Sequence, residues 1–275
     1  MTARAGGSGR RSPRAPARTT PRKAARAGAG SSASELPRLY ADLAWLWPIL
    51  SPPEHYAAEA RTLLRQYRSL VPKRGRTRPR LLDLGAGGGH LLVHLARHFD
   101  CTAVDLSRAM LENCARLVPS ARRVVGDMRT LRLEERFDAV LIHDAVDYML
   151  SPDDLRAALD TAAAHLVPGG ALFVAPTYTR DNFVDGDAEH DADPSANLTY
   201  LSYVHDPDPR DTEYELVLVY LIRGERRGVE VTVDRHRCGL FPVEDWLSAL
   251  KQAGFSARCV EDDKAWTLFA GTRVS

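Results

Sequence analysis

One ten-residue segment, Leu81–His90, constrains the fold of this chain more than any other. A short apolar run containing Asp83 leads into a loop with Gly85, Gly87 and Gly89, and apolar residues at helical spacing follow. The pattern predicts a strand, a tight glycine loop and a helix. Glycines in such a loop let the backbone approach a ligand closely. A ligand-binding α/β fold is therefore the first prediction.

Two classes of ligand use a loop of this kind. A dinucleotide-binding loop has the spacing G-x-G-x-x-G, but His90 occupies the third glycine position here. The spacing G-x-G-x-G, with Asp83 two residues ahead, resembles the first motif of class I S-adenosylmethionine (SAM)-dependent methyltransferases. The carboxylate of Asp83 suits the ammonium group of SAM better than it suits a pyrophosphate. The segments that follow the loop distinguish between the two classes of ligand.

Length and composition allow one large domain with a tail. The chain has 275 residues, and no apolar run approaches the roughly 20 residues of a membrane span. No secretory segment follows the N-terminal arginines. The four cysteines lack C-x-x-C spacing, which predicts free thiols in a reducing compartment. We expect a cytoplasmic monomer or homodimer with no membrane partner.

Charge is distributed unevenly along the chain. Residues 1–34 contain eight Arg or Lys and no acid, which leaves 29 basic and 36 acidic residues in the remainder. An acidic body disfavours nucleic acid as the main partner. The tail is rich in Ala, Arg, Gly, Pro and Ser, so residues 1–35 are predicted to be disordered. The folded domain is expected over residues 36–275.

Acidic residues follow two further predicted strands. The second strand ends at Asp105, 20 residues after Gly85, where a carboxylate accepts the hydroxyls of a ribose. Ser107 then begins a helix. A third strand leads into Asp127 and Met128, placed for the amino group and the ring of adenine, with a simple turn as the alternative for Asp127. These positions predict a nucleoside site.

The fourth strand ends in a cluster of polar residues, His143, Asp144, Asp147 and Tyr148. Ligands of open α/β sheets bind outside the carboxyl ends of the strands, so methyl donor and acceptor should meet here. His143 is the best candidate for a general base, with Asp144 or Asp147 as its orienter and Tyr148 as a hydrogen-bonding partner of the substrate. Packing alone is the alternative for His143.

Strands and helices alternate along the chain until residue 176, which predicts a doubly wound, mostly parallel sheet. Residues 177–237 break this alternation and predict an antiparallel excursion that covers the substrate. Within it, the acidic segment Asp185–Asp193 is expected to be a solvated loop and not a metal site. Two local patterns predict the ends of helices. Ser51 is predicted to cap the start of one helix, and Pro168–Gly170 is predicted to end another before strand five.

His236, in the last strand of the excursion, is a second candidate for a catalytic base. Strand alternation points it away from Arg235 and Arg237, so either the histidine or the arginines face the pocket. Arginines there would hold an acidic or phosphorylated substrate.

The glycine loop, Asp105, Gly126–Met128 and Pro168–Gly170 together resemble a class I SAM-dependent methyltransferase in order and spacing. The resemblance implies a seven-stranded Rossmann-like sheet that ends in a β-hairpin, with SAM as the cofactor. It implies that Asp83 and the glycines surround the methionine part of SAM. The full set of cofactor-binding residues predicted is Tyr40, Tyr56, Asp83, Gly85, Ala86, Gly87, Gly89, Asp105, Leu106, Asp127, Met128 and His143.

A narrower resemblance is to the N-methyltransferases that dimethylate amino sugars. Three places carry it: the entry around Tyr40 and Tyr56, the segment Asp181–Phe183 after strand five, and His236 before the final helix. It implies a small-molecule methyl acceptor.

The leading hypothesis is a SAM-dependent methyltransferase (EC 2.1.1 class) acting on an amine or hydroxyl of a small molecule. Two alternatives stay open: a non-catalytic SAM-binding scaffold of the same fold, and an RNA methyltransferase aided by the basic tail.

Overall fold

The computed structural model describes residues 36–71, 78–193, 197–224, 228–261 and 266–274. The predicted disordered tail lies outside these residues. The described α-helices are α1 Trp47–Leu50, α2 Ala57–Leu70, α3 Leu92–Leu95, α4 Arg108–Leu117, α5 Pro152–His165 and α6 Val243–Gln252. Short 3-10 helices span Arg38–Tyr40, Ala44–Leu46, Pro53–Tyr56 and Ala145–Tyr148. The described strands are β1 Arg80–Leu84, β2 Asp100–Asp105, β3 Arg122–Val125, β4 Phe137–His143, β5 Leu166–Ala175, β6 Ala188–Asp193, β7 Leu198–His205, β8 Glu213–Gly224, β9 Gly228–Gly239, β10 Phe255–Glu261 and β11 Thr267–Arg273.

The larger sheet has seven strands in the order β10-β11-β5-β4-β1-β2-β3. Strands β1 to β5 pair in parallel, whereas β11 and β10 run antiparallel. This order confirms the predicted doubly wound α/β fold with a terminal hairpin. The strand order reverses between the neighbouring strands β1 and β4. Open α/β sheets bind ligands at such a switch point.

Strand alternation distributes side chains between two cores. Leu81 and Leu141 pack on the face that carries α2, while Leu82 and Ile142 pack on the face that carries α5 and α6. Each fully buried side chain of this kind contributes about 1.5–3 kcal/mol. The same period of two sends Asp83 and His143 towards the α2 face.

The smaller sheet is antiparallel, with the order β6-β7-β8-β9. It lies between β5 and α6 in the sequence and confirms the predicted antiparallel excursion. Its inner face packs Leu218 and Tyr220 against Leu39, Leu43 and Leu46 of the first ordered segment. The excursion therefore covers residues 38–46, which lead into the main domain.

The predicted helix start at Ser51 is wrong. The Ser51 hydroxyl lies 2.5 Å from the Tyr56 hydroxyl, and helix α2 begins only at Ala57, after a 3-10 turn. An N-cap side chain binds the N–H two or three residues on. Pro53 lacks one of those N–H groups, and Ser51 bonds to a side chain instead.

Two other local predictions are also wrong. Helix α5 ends at His165 and β5 begins at Leu166, so Pro168–Gly170 lies inside the strand, near a register shift in its pairing with β4. The segment Asp185–Asp193, expected to be a solvated loop, contains edge strand β6. Its polar side chains hide the strand from pattern analysis, because its pairing comes from the backbone of β7.

Gly89 and Gly254 offer a matched test of the glycine loop. Both adopt positive φ, 79° and 85°, but a Cβ on Gly89 would lie 2.9 Å from Cys114 Sγ, whereas one on Gly254 would meet nothing within 4 Å. We expect Gly254→Ala to lower the free energy of unfolding by about 1 kcal/mol through backbone strain. Gly89→Ala should cost about 2–3 kcal/mol because overpacking adds to strain. Urea unfolding measures both, and equal losses would contradict the prediction.

Candidate active site

The glycine loop after β1 closes onto the end of β2. The N–H groups of Gly85 and Ala86 donate to the Val104 carbonyl at 2.8 and 2.9 Å. Gly85 has a φ of 85°, and a Cβ at this position would overlap Ala145. Only glycine therefore fits where the loop passes the end of β4, which leaves the backbone open to a ligand.

Asp105 is held at the end of β2 by backbone donors. The N–H of Gly87 donates to one carboxylate oxygen at 2.8 Å, and the N–H of Ser107 donates to the other at 2.8 Å. Burial raises the pKa of Asp105, although these two bonds oppose the shift. A carboxylate has about four acceptor positions, so Asp105 can still accept ribose hydroxyls.

Asp83 lies under the loop with only 3% of its surface exposed. Burial raises its pKa to about 7; nearby His143 opposes the shift and Asp105 adds to it. The carboxyl group is therefore poised between its neutral and ionised forms near neutral pH. A cation arriving beside Asp83 would ionise it.

His143 lies between two carboxylates. Its Nε2 is 2.6 Å from Glu59 Oε2, and its Nδ1 is 3.1 Å from Asp144 Oδ2. Burial lowers the pKa of His143, but Asp144 and Glu59 outweigh it and raise the pKa well above its usual value. An imidazolium with both nitrogens engaged is unsuited to the predicted general-base role. Asp144 has a φ of 50°, an unusual backbone conformation for a residue other than glycine.

The remaining predicted cofactor residues lie around the same edge of the sheet. Asp127 pairs with Arg129 at 2.7 Å; burial would raise the pKa of this carboxyl, but Arg129 outweighs burial and lowers it. Met128 is buried, while Leu106 is 49% exposed. The ring of Tyr56 stands edge-on to His143.

The segment before α2 lies against the start of helix α4. Ser107, which caps α4, also donates its hydroxyl to the Tyr40 carbonyl at 2.5 Å, and Asn113 donates to the Ala44 carbonyl at 2.7 Å. A Cβ on Gly88 would lie 2.7 Å from the Trp47 ring. These contacts place residues 40–47 over the glycine loop.

The Tyr148 hydroxyl forms hydrogen bonds with both Tyr40 and His236. The Tyr148 hydroxyl donates to Tyr40 Oη at 2.9 Å and lies 2.7 Å from His236 Nδ1. His236 Nε2 lies 3.0 Å from Asp234 Oδ2. Burial raises the pKa of both tyrosines.

Arg235 and Arg237 point away from this cluster. Their side chains are 64% and 67% exposed and pair with Glu215 and Glu213 on the outer face of the smaller sheet. His236, with 1% of its surface exposed, faces inward. Of the two orientations that the sequence left open, the structure adopts the one with the histidine inside.

A cavity of about 250 Å³ lies beside Tyr40 and Tyr148. Its wall carries acidic side chains from two parts of the chain, Asp144 and Asp147 after β4 and Asp187 and Glu189 at the start of β6. The remaining lining residues are Thr177, Tyr178, Ala188, Ser202, Val204, Tyr214, Leu216, Leu218 and Cys238.

Asp147 does not have the role of an orienter for His143 in this arrangement. Its carboxylate accepts the N–H of Thr177 at 3.2 Å and the hydroxyl of Tyr214 at 3.4 Å. Burial raises the pKa of Asp147 to about 8, against the bond from Thr177. Asp144 occupies the orienting position instead.

Sequence reasoning missed Glu59 and Asp234. Glu59 lies on α2, 84 residues before its partner His143, and no local pattern connects them. Asp234 stands two residues before His236, a spacing that puts both on one face of a strand. That period was available in the sequence and could have identified Asp234.

Comparison with known proteins agrees with this geometry. The methyltransferase domain family matches residues 81–170. The chain is 30% identical over 208 residues to dTDP-3-amino-3,4,6-trideoxy-alpha-D-glucopyranose N,N-dimethyltransferase of Streptomyces venezuelae, a match that covers 75% of this chain and 86% of that protein.

Two solved structures are also similar. The sugar N-methyltransferase KedS8 of a Streptoalloteichus species has a TM-score of 0.74 at 28% identity, covering 92% of this chain and all of that one. SAM-bound CalS10 of Micromonospora echinaspora, an amino pentose methyltransferase, has a TM-score of 0.70 at 27% identity, covering 80% and 92%.

The chain belongs to the class I SAM-dependent methyltransferases, in the group that includes these amino-sugar N-methyltransferases. It is an enzyme that uses SAM as its cofactor and transfers a methyl group to an amine or hydroxyl of a small molecule. Within the described part of the chain, no helix has the length and apolar character needed to cross a membrane.

Glu59→Gln tests the charge arrangement around His143. Because the folded chain binds this proton more tightly than the unfolded chain, His143 stabilises the fold fully below about pH 6.5. That contribution is lost as the pH rises through the folded pKa. Loss of Glu59 should lower the folded pKa, so the fall in stability should still begin near pH 6.5 but should be smaller and end at a lower pH.

NMR titration of the His143 ring and urea unfolding from pH 6 to 10 measure the two effects. Glu112→Gln, at an exposed position on α4, is the control. An unchanged His143 titration in Glu59→Gln would contradict the prediction.

Proposed function

We propose that the methyl acceptor is the amine of a small molecule, an amino sugar by analogy with the relatives, and that it binds in the cavity beside Tyr148. One observation carries this proposal. Four acidic side chains line the cavity, and none of the described lining residues is Lys or Arg. Carboxylates around a cavity favour a cationic ligand over a neutral hydroxyl compound.

The residues at the switch point fit the cofactor. Asp105 retains acceptor capacity at the position of a ribose, and the glycine loop leaves no Cβ between its backbone and a ligand. We assign the methionine part of SAM to Asp83, Gly85, Gly87 and Gly89. The adenosine part is assigned to Asp105, Leu106, Asp127 and Met128, with Ala86, Tyr40 and Tyr56 adjoining.

Bound SAM supplies an activated methyl group. The protein's contribution is to orient the acceptor, exclude water and remove a proton. The carboxylates of the cavity hold the ammonium of the acceptor, and residues 40–47 cover the loop. His143 contributes a fixed positive charge between Glu59 and Asp144, which holds Asp144 at the cavity wall.

The direct test is release of S-adenosylhomocysteine from SAM with paired acceptors. Each amino sugar is compared with the sugar that carries a hydroxyl at the same carbon, and mass spectrometry locates the methyl group. We expect transfer to the amine only. Transfer to the hydroxyl partner would replace the amine assignment. Calorimetric titration of SAM, with NADH as the control ligand, should show binding of SAM alone, and Asp105→Ala should weaken it at least tenfold.

Asp83 gives a prediction about pH. Its pKa of about 7 in the free enzyme means that a cation bound beside it releases a proton, so SAM affinity should rise with pH up to about 8. At pH 7 about half a proton should leave Asp83 on binding.

Calorimetry in buffers of different ionisation enthalpy measures this release. Asp83→Asn should reduce the release by that amount. Asp208→Asn, at an exposed carboxylate paired with Arg210, should leave it unchanged. Equal proton release from wild type and Asp83→Asn would remove Asp83 from the site.

A cytoplasmic location and a monomeric or homodimeric state stay predictions. The four thiols, all free of disulfide bonds, support the first.

A further inference from the structure

Four side chains form a continuous hydrogen-bonded chain from the cavity wall into the protein. Tyr40 and Tyr148 line the cavity. Behind them, His236 lies 2.7 Å from the Tyr148 hydroxyl, and Asp234 lies 3.0 Å from the far nitrogen of His236. The side chains of His236 and Asp234 are 0% and 6% exposed. A buried polar group is costly unless it is fully hydrogen-bonded, so the arrangement is well defined.

Asp234 is fixed from the opposite side by the backbone. The N–H groups of Arg38 and Leu39 donate to its two oxygens at 3.2 and 2.8 Å. Burial would raise the pKa of Asp234, but the bonds from His236 and Leu39 outweigh burial and lower it. Asp234 is therefore a carboxylate that holds an N–H on Nε2 of His236, which directs Nδ1 at Tyr148.

The Tyr148 hydroxyl has one proton and two partners. When it donates to Tyr40, 2.9 Å away, the ring of His236 donates to Tyr148 as well as to Asp234. When it donates to His236 instead, the ring carries one proton fewer. The two arrangements share the same heavy-atom positions and differ by one proton, so the chain takes up a proton when it passes from the second arrangement to the first.

An ammonium bound in the cavity needs a proton acceptor. Carboxylates that hold an ammonium also stabilise its protonated form, in which nitrogen has no lone pair to attack a methyl group. A proton must therefore leave the nitrogen before each transfer. Asp147, whose pKa burial raises to about 8, is already engaged by Thr177 and Tyr214.

We propose that Tyr148, His236 and Asp234 form a proton relay that converts the bound ammonium into a neutral amine. This inference rests on the proposed function. The ammonium N–H bond breaks and its electron pair stays on nitrogen; the proton goes to Tyr148 Oη as the Tyr148 proton passes to His236 Nδ1. Tyr148 touches the acceptor and is the catalytic residue. His236 and Asp234 are positioning residues that act through it.

Other titratable groups face the relay from each neighbouring element. The first segment contributes Arg38 and Tyr40, and β2 contributes Asp105. The turn after β4 contributes Asp144 and Asp147. The smaller sheet contributes Tyr214 and Tyr220 from β8 and Cys238 from β9. Most of these groups are carboxyls or hydroxyls.

The test is the pH dependence of kcat with an amine acceptor, from pH 6 to 9. Without the relay, only amine that is already neutral reacts. Tyr148→Phe and His236→Gln should therefore lower kcat about 100-fold at pH 7. The loss should shrink about tenfold for each pH unit towards the pKa of the acceptor. Tyr203→Phe, on the exposed outer face of the same sheet, should match wild type.

Asp234→Asn can keep an oxygen at the Oδ2 position, which contacts both the N–H of Leu39 and His236 Nε2, but loses the negative charge beside His236. We expect a loss of kcat of about tenfold at pH 7 with unchanged SAM affinity. The ring ¹⁵N shifts of His236 should change in Asp234→Asn and stay unchanged in Asp208→Asn. These shifts need no acceptor, so they test the positioning role independently of turnover.

Each outcome decides between the two proposals. A wild-type enzyme that methylates no amine would end the proposed function and the relay with it. An active wild type whose variants keep its kcat would overturn the relay alone. Variants that lose the same factor at every pH would also overturn it, because the defect would then be structural. SAM binding by each variant confirms that it is folded.

Discussion

One buried imidazolium holds the switch point of the sheet together. His143 joins helix α2 through Glu59 and the turn after β4 through Asp144. Buried charges are tolerated only when they are paired, and loss of one partner typically costs about 3–5 kcal/mol. Because Asp144 also lines the cavity, the ion cluster that holds the switch point together contributes to the negative potential of the cavity.

Much of the fold could be predicted from the sequence because its signals are local. The glycine loop after β1, the acid at the end of β2 and the helix cap at Ser107 each depend on a few neighbouring residues. The order of strands then follows from right-handed crossovers and from the helices between them. The position of the cofactor site follows from that order, since ligands bind where the strand order reverses.

The chemistry within the site depends on contacts that no local pattern contains. Glu59 and His143 are 84 residues apart, and Tyr148 and His236 are 88 apart. The sequence predicts His143 as a base because it ends β4, and the structure confirms that position. Its charge state is set by two carboxylates, one of which arrives from α2. The edge strand β6 escaped prediction for a related reason, because backbone pairing with β7 defines it and its own side chains do not.

The attachment of Asp234 to the chain at residues 38 and 39 has an evolutionary consequence. Both donors are main-chain N–H groups, and every residue except proline supplies one. The two hydrogen bonds therefore do not depend on which side chain, other than that of proline, occupies these positions. Paired variation between sequences detects contacts between side chains, so it would be blind to this one. Only the three-dimensional structure reveals what holds the carboxylate in place.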